Sequence, residues 1–327
     1  MKLCIFIGSR CNYGRLRSVI KLAHEDKNID LQLLVGASGL CAKIPYPYVP
    51  IECLLNSDTT TGMCLTTSLL LTQITGILNR IQPDCVLLHG DRYEVLSVAI
   101  AASYQNIPVA HTEGGDVSGT IDDKVRYAIT ALADYHFPVT ELSASRIKKE
   151  NVYVVGSTAL DGLEPKNEPG DYVVILHHPN SVIPEPIEPL IEAAKNIPYK
   201  KIWVNPNVDA GAKQMLKKIH AAPVEFMKNL PPDEYIELIY NAKCCIGNSS
   251  SFIKEGAYFG IPVILVGNRQ ENREHGHNIV FAEMNQWDIV QKTLYQIDYG
   301  RYEPDYRFGD GTAAKKIIEV LKCELSD

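Results

Sequence analysis

Short apolar runs, each closed by a glycine or a polar turn, alternate along this chain with stretches whose apolar residues recur at helical spacing. Leu3 to Ile7 is such a run, ending at Gly8, and predicts a buried strand. Tyr13 to Glu25 predicts a helix, and Leu31 to Val35 a second strand ending at Gly36. Met63 to Ile81 predicts a long helix with Leu70, Ile74, Ile77 and Ile81 on one face. Pro83 stops it, because proline lacks an amide hydrogen and clashes with the preceding turn. Cys85 to Leu88 and Val109 to His111 predict strands flanking a helix over Glu94 to Gln105. Asp122 to Ala133 predicts another helix, its two leading acids placed where the helix dipole favours them. Tyr135 to Val139 and Val152 to Val155 predict further strands.

From Gly156 to Asp171 the periodicity gives way to glycines, prolines and acids, which marks a domain boundary. A second alternating run follows. Its strands are Tyr172 to Leu176, Lys201 to Val204, Lys243 to Ile246 and Val263 to Val266. Its helices are Ala210 to Ile219, Asp233 to Asn241 and Ser249 to Phe259, the last capped by Gly260. Thr312 to Glu324 predicts a final helix. Strands alternating with helices mean an α/β fold with parallel sheets.

Two segments repeat one pattern. Pro83 to Asp116 reads PDCVLLHGDRYEVLSVAIAASYQNIPVAHTEGGD, and Ala242 to Gln270 reads AKCCIGNSSSFIKEGAYFGIPVILVGNRQ. Each is a strand, a polar loop, a helix and a second strand, and both carry Tyr-x-x-Ile-Pro-Val (Tyr104 to Val109, Tyr258 to Val263). Loops at the carboxyl ends of such strands hold ligands. The first set is acidic, with Asp91, Glu113 and Asp116; the second has Asn248 and three serines at a helix start. The pattern predicts two halves facing one cleft, with acid–base chemistry on one wall and phosphate on the other.

Free amides and the positive dipole end at a helix start attract phosphate, and small hydroxyl residues there can donate to it. Capping alone accounts for one Ser or Asn at that place. Arg269, after the next strand, adds a guanidinium to the same edge. On the acidic side Asp91 and Arg92 follow a strand, and Glu113 lies between a strand and the Gly114-Gly115 turn. Neighbouring carboxylates shift one another's pKa, as proton transfer requires. Capping explains Asp122 or Asp123, but gives Glu113 no task. Arg10, after the first strand, reads as a cleft residue or equally as a surface arginine. His178, before Pro179, reads as a hydrogen-bond donor to phosphate or sugar.

Composition narrows the classes. A length of 327 residues suits about two domains. A net charge of -7 argues against a chain-wide nucleic-acid footprint. No apolar run approaches the roughly 18–20 residues of a membrane span, and MKLCIFIGSR reads as a strand, not an export signal. Nine scattered cysteines without Cys-x-x-Cys read as reduced thiols, which places the chain in the cytoplasm. His177-His178 and His275-Gly-His277 lack zinc-site spacing, and Gly8 to Ser18 lacks the dinucleotide fingerprint. No metal or cofactor is expected.

At HGDRYE, EGGDVSGTIDDKVRYAIT, PNVDAG, IGNSSSFIKEGAYFGIPV, GNRQ and FGDGTAA the chain resembles the hydrolysing UDP-N-acetylglucosamine 2-epimerases, from Gly8 to the last helix. That resemblance implies a GT-B-like architecture of two Rossmann-like domains with parallel sheets around a central cleft. Residues 1–160 would carry the acid–base wall, 161–305 the UDP wall, and 306–327 a helix crossing back. It implies conversion of UDP-GlcNAc and water to N-acetylmannosamine and UDP, by anti elimination through 2-acetamidoglucal and then water addition, for sialic-acid-type synthesis. Asp91 and Glu113 inherit proton transfer, with Asp122 assisting. Arg10, Arg92, His178, Asn207, Ser249, Ser250 and Arg269 inherit UDP contacts, and Glu255 the ribose hydroxyls. A homodimer or higher homo-oligomer is implied, with a nucleotide sugar as the small-molecule partner.

The chain departs from that family after the second strand, where VGASGLCAKIPYPYVP (Val35 to Pro50) lacks the Gly-x-His-Leu-like turn. A UDP-2,4-diacetamido-trideoxyhexose, on the legionaminic-acid route, is therefore the alternative substrate. A GT-B glycosyltransferase and a non-catalytic nucleotide-sugar-binding protein are the readings from other classes.

Overall fold

The computed structural model describes residues 1–54, 59–118, 121–180, 185–206, 211–222, 224–227 and 230–325. The chain divides into two compact units, Met1–Val117 with Ile121–Gly162 and Gly309–Asp327, and Ser118–Thr120 with Leu163–Phe308.

The first unit runs β1 (Lys2–Ile7), α1 (Arg10–Glu25), β2 (Asp30–Gly36), β3 (Val49–Ile51), α2 (Thr60–Ile81), β4 (Cys85–His89), α3 (Tyr93–Tyr104), β5 (Val109–Thr112), α4 (Ile121–Leu132), β6 (Tyr135–Phe137) and α5 (Glu141–Ser145). Its strands lie in the order β3-β2-β1-β4-β5-β6, all parallel. The second unit runs β7 (Tyr172–Leu176), α6 (Glu188–Asn196), β8 (Lys200–Val204), α7 (Ala212–Ile219), β9 (Glu225–Met227), α8 (Pro232–Tyr240), β10 (Cys244–Gly247), α9 (Ser250–Phe259), β11 (Val263–Val266), β12 (Ile279–Ala282) and α10 (Gln286–Tyr299). Its order, β12-β11-β10-β7-β8-β9, is again parallel. Counted within each unit, both sheets read 3-2-1-4-5-6. That is the doubly wound order whose ligand crevice lies at the carboxyl ends of strands 1 and 4. The repeated segments are β4-α3-β5 and β10-α9-β11, the same position in each sheet.

Apart from Lys2, the β1, β4 and β5 residues are buried because helices cover both faces of the sheet. One face carries α2, α3 and α4 over Phe6, Leu34, Val86 and Leu88. The other carries α1 and the last helix, α11 (Ala313–Glu324), over Ile5, Val35 and Leu87. Ile317 and Leu321 of α11 are fully buried there, each worth about 1.5–3 kcal/mol of transfer free energy. Asp161 fastens that helix: its carboxylate accepts from the Ala313 and Ala314 amides at 3.0 and 2.7 Å.

Several expectations need correcting. Helix α1 begins at Arg10, not Tyr13, because Ser9 caps it: the Asn12 amide donates to the Ser9 hydroxyl at 3.2 Å, and that hydroxyl donates to Asn12 Oδ1 at 3.2 Å. Val152 to Val155 is not a strand; Val152 makes one bridge to His136. Elements β12 and α10 occupy a stretch without a predicted element. By length and composition α2 is long and apolar enough to cross a membrane, contrary to the expectation that no run approaches that size. Its stripe of Gly62, Thr66, Leu70, Ile74, Ile77 and Leu78 is buried, with Leu70, Ile74, Ile77 and Leu78 in the core of the first unit.

Candidate active site

In the first unit, the carboxyl ends of β1, β4 and β5 bring together Arg10, Asp91, Arg92 and Glu113. Arg10 is the first helical residue of α1. Arg92 is held by its neighbour Glu94, whose fully buried carboxylate takes Nε at 3.0 Å and a terminal nitrogen at 3.1 Å. The guanidinium also lies over the Tyr93 ring, 5.4 Å from its centroid.

Glu113 follows β5 with φ of +63°, the left-handed region that costs a side-chain-bearing residue about 1 kcal/mol. Two contacts hold it there. Its amide donates to the Phe137 carbonyl at 3.0 Å, and its Oε1 accepts from the Ser157 hydroxyl at 3.1 Å. Gly115, two residues on, has φ of +76°, and a Cβ there would lie 2.0 Å from the Ser143 carbonyl oxygen, so only glycine fits. This turn directs the Glu113 carboxylate toward the end of β4, where His89 Nε2 lies 3.9 Å from Oε2.

Arg126 organises the remaining acids, and the sequence pattern did not single it out. It is 1% exposed, on the inner face of α4 beside Ile129. Its guanidinium bonds the Asp91 carboxylate, the Asp123 carboxylate at 2.5 Å and the Asp116 carbonyl at 2.8 Å. Burial pulls its pKa down, but the charges of Asp91, Asp116 and Asp123 more than offset this and raise it. Asp123 is the α4 carboxylate in this set; Asp122 lies beside it in the first helical turn, half-buried. The available signal was an Arg three residues after Asp123, at a core-facing register. His111 lies beneath the acids, its Nε2 donating to the Gly90 carbonyl at 2.8 Å and its Nδ1 accepting from Thr130 at 3.2 Å. Burial lowers its pKa to about 4, so it stays neutral.

In the second unit, β7 and β10 end side by side at the corresponding switch point. Gly247 has φ of +142°, and a Cβ there would lie 2.0 Å from the Leu176 carbonyl oxygen. Asn248 clamps the two strand ends. Its Oδ1 accepts from the His178 amide at 2.7 Å, and its Nδ2 donates to the His178 carbonyl at 2.9 Å and to His177 Nε2 at 3.2 Å. The side chains of Arg269 and Gln270 both donate to the Asn248 carbonyl, at 3.0 and 2.9 Å. Asn248 is thus structural, and it sets His178 and Arg269 beside the start of α9.

Ser249 is the N-cap of α9, its hydroxyl accepting from the Ser251 amide at 3.4 Å and lying 2.8 Å from the Ser251 hydroxyl. The Tyr235 hydroxyl of α8 bonds Ser251 in turn. Ser250 opens the helix, half-buried and outside that chain, while Glu255 is buried further along α9. Asn207 lies outside the described residues. All nine cysteines are free thiols.

Comparison with known proteins adds a further finding. Residues 47–322 match the protein family described as UDP-N-acetylglucosamine 2-epimerase. The hydrolysing UDP-N,N'-diacetylbacillosamine 2-epimerase of Legionella pneumophila is 29% identical, over 98% of this chain and 95% of its own length. The UDP-N-acetylglucosamine 2-epimerase of Neisseria meningitidis serogroup B is 26% identical, over 98% and 94%. Among solved structures, the UDP-GlcNAc 2-epimerase of Methanocaldococcus jannaschii in complex with UDP-GlcNAc and UDP has a TM-score of 0.83 at 21% identity, covering 99% of this chain and 100% of that one. That likeness is one of fold, GT-B-like, with two Rossmann-like units.

Proposed function

Because the chain belongs to the UDP-N-acetylglucosamine 2-epimerase family, we propose that it is a hydrolysing 2-epimerase, converting UDP-GlcNAc and water to N-acetylmannosamine and UDP. The observation that carries this reading is Glu113, held in left-handed backbone at the end of β5, next to the end of β4 that Asp91 follows, at the edge where doubly wound sheets bind ligands. A strained, doubly anchored carboxylate is costly to keep as a mere loop residue.

The reaction loses a proton from C2 of the sugar while the C1–oxygen bond breaks and UDP departs, leaving a C1–C2 double bond. Water then adds oxygen to C1 and a proton to C2 on the opposite face. Asp91 and Glu113 are the proton-transfer groups, with Asp122 assisting; such groups contribute about 10²–10⁴ in rate. Arg126 holds the Asp91 carboxylate in place. In the second unit the free amides and dipole of α9 with Ser249 and Ser250, and His178, Asn207 and Arg269, are the UDP contacts; in the first unit Arg10 and Arg92 are the UDP-contacting residues. Glu255 takes the ribose hydroxyls. We place the enzyme in a reducing compartment, where nine free thiols persist.

A second substrate reading has its own support. The segment after β2 carries no histidine; it folds as a one-turn 3-10 helix over Ala37–Cys41, with the Ser38 hydroxyl donating to the Gly8 carbonyl at 3.4 Å. Together with the Legionella relative, this favours testing a UDP-2,4-diacetamido-trideoxyhexose as well. Incubation with each sugar in deuterated water, followed by proton NMR, decides. Free UDP with a C2-deuterated N-acetylmannosamine supports the first reading, and turnover of the diacetamido sugar alone supports the second. Folded, UDP-binding protein inert to both would sink the proposal.

A further inference from the structure

His89 ends β4 directly opposite Thr112 of β5 in the parallel register. Its ring is buried, with Nδ1 2.8 Å from the Thr112 hydroxyl oxygen. Thr112 spends its one hydroxyl hydrogen on the Leu88 carbonyl, at 3.3 Å. The hydroxyl can therefore only accept from the imidazole, so Nδ1 carries the hydrogen. That tautomer leaves Nε2 as the nitrogen facing Glu113, 3.9 Å from Oε2. Ser157 holds the other carboxylate oxygen, and the Phe137 carbonyl fixes the Glu113 backbone. The charged groups nearby are already committed: Arg126 to Asp91 and Asp123, with His111 kept neutral by burial.

We propose that His89 is the positioning residue for Glu113 and shares one proton with it, rather than being a passive part of the strand end. The inference rests on the reading of Glu113 as a proton-transfer group. When Glu113 takes a proton from the reacting sugar, the 3.9 Å separation closes to hydrogen-bonding range. The proton then passes from Oε2 to Nε2, leaving a carboxylate beside an imidazolium. The reverse transfer reloads Glu113, so no other donor is consumed. Ser157 keeps the carboxylate from turning away during both transfers.

The test compares two neutral substitutions in the full chain. His89→Asn retains an amide at the level of Nδ1, within reach of Thr112, but presents nothing to Glu113. His89→Gln reaches the Nε2 level and can donate to Glu113, but carries no exchangeable ring proton. With the sugar that the wild type turns over, kcat of His89→Asn should fall about 100-fold, with KM and the Kd for UDP within about threefold. His89→Gln should recover about tenfold of that loss by restoring orientation alone. A kcat for His89→Asn within threefold of wild type overturns the proposal. So does an equal loss in both variants accompanied by weaker UDP binding, which marks a structural role. Wild-type protein that binds UDP but turns over neither sugar overturns the reaction reading itself, and this inference with it.

Discussion

Arg126 reaches Asp91 from 35 residues away in sequence, and its guanidinium, 1% exposed, holds that carboxylate together with Asp123. A buried charge removed from such a set leaves its partners unpaired, which costs far more than the set contributes as a whole. Arg126→Met should therefore lower the unfolding free energy by about 3–5 kcal/mol. Adding Asp91→Asn and Asp123→Asn to it should recover a large part of that loss. Urea denaturation of the single and triple variants checks both; a single-variant loss under about 1 kcal/mol would show that solvent, not Arg126, satisfies these acids.

Glu113 allows its backbone and its carboxylate to be tested separately. Glu113→Gly and Glu113→Ala both delete the carboxylate, so both should lose turnover by at least about 100-fold. They differ in φ: glycine adopts +63° freely, whereas alanine keeps the left-handed penalty. Glu113→Gly should thus be the more stable of the two by about 1 kcal/mol, despite glycine's greater unfolded entropy. Equal thermal midpoints would mean that the turn relaxes and stores no strain at this residue.

The sheets were legible in the sequence because parallel strands covered on both faces read as unbroken apolar runs, as β1, β4, β7 and β10 do. The acidic and hydroxyl-rich loops were legible for a related reason: each interrupts such a run abruptly. Much of the rest is polar and buried. Helix α10 hides its inner face behind Thr293 and Gln296, and Gln296 donates to the Val263 and Asn278 carbonyls at 3.1 and 2.9 Å. Arg126 reads as a solvated charge until α4 turns it inward. His89 and Ser157 act on Glu113 from other elements, which spacing along the chain does not reveal. Val152 to Val155 misled in the opposite sense, with strand-like composition but only one bridge.

The serines at the start of α9 divide their labour. Ser249 caps the helix and is tied to Ser251, whereas Ser250 stands at the first helical position outside that chain. Ser249→Ala should cost about 1 kcal/mol of stability. Ser250→Ala should leave the thermal midpoint unchanged and weaken UDP binding about tenfold, the loss of one charge-assisted hydrogen bond. Calorimetry of UDP binding and thermal melts on the pair decide. A Ser250→Ala variant that melts early but binds UDP normally would make the segment a cap and nothing more.

Mild acid should destabilise this protein through its buried histidines. Burial lowers His111 to about 4, His136 to about 4 and His177 to about 3, against about 6.5 for histidine in an unfolded chain. The unfolded state therefore binds more protons below pH 6.5, so the stability these neutral rings carry is intact above that value. It drains away as pH falls toward the folded-state pKa values. Three such groups remove about 3 kcal/mol between pH 6.5 and 5.5. Asp161 and Glu185, raised by burial, act in the opposite direction, becoming more favourable as pH falls. Urea midpoints at pH 7.5, 6.5 and 5.5 should fall modestly across the first step, by about 1 kcal/mol of stability, and about three times as much across the second. A midpoint unchanged at pH 5.5 would mean that the folded state protonates these rings without cost, against their burial.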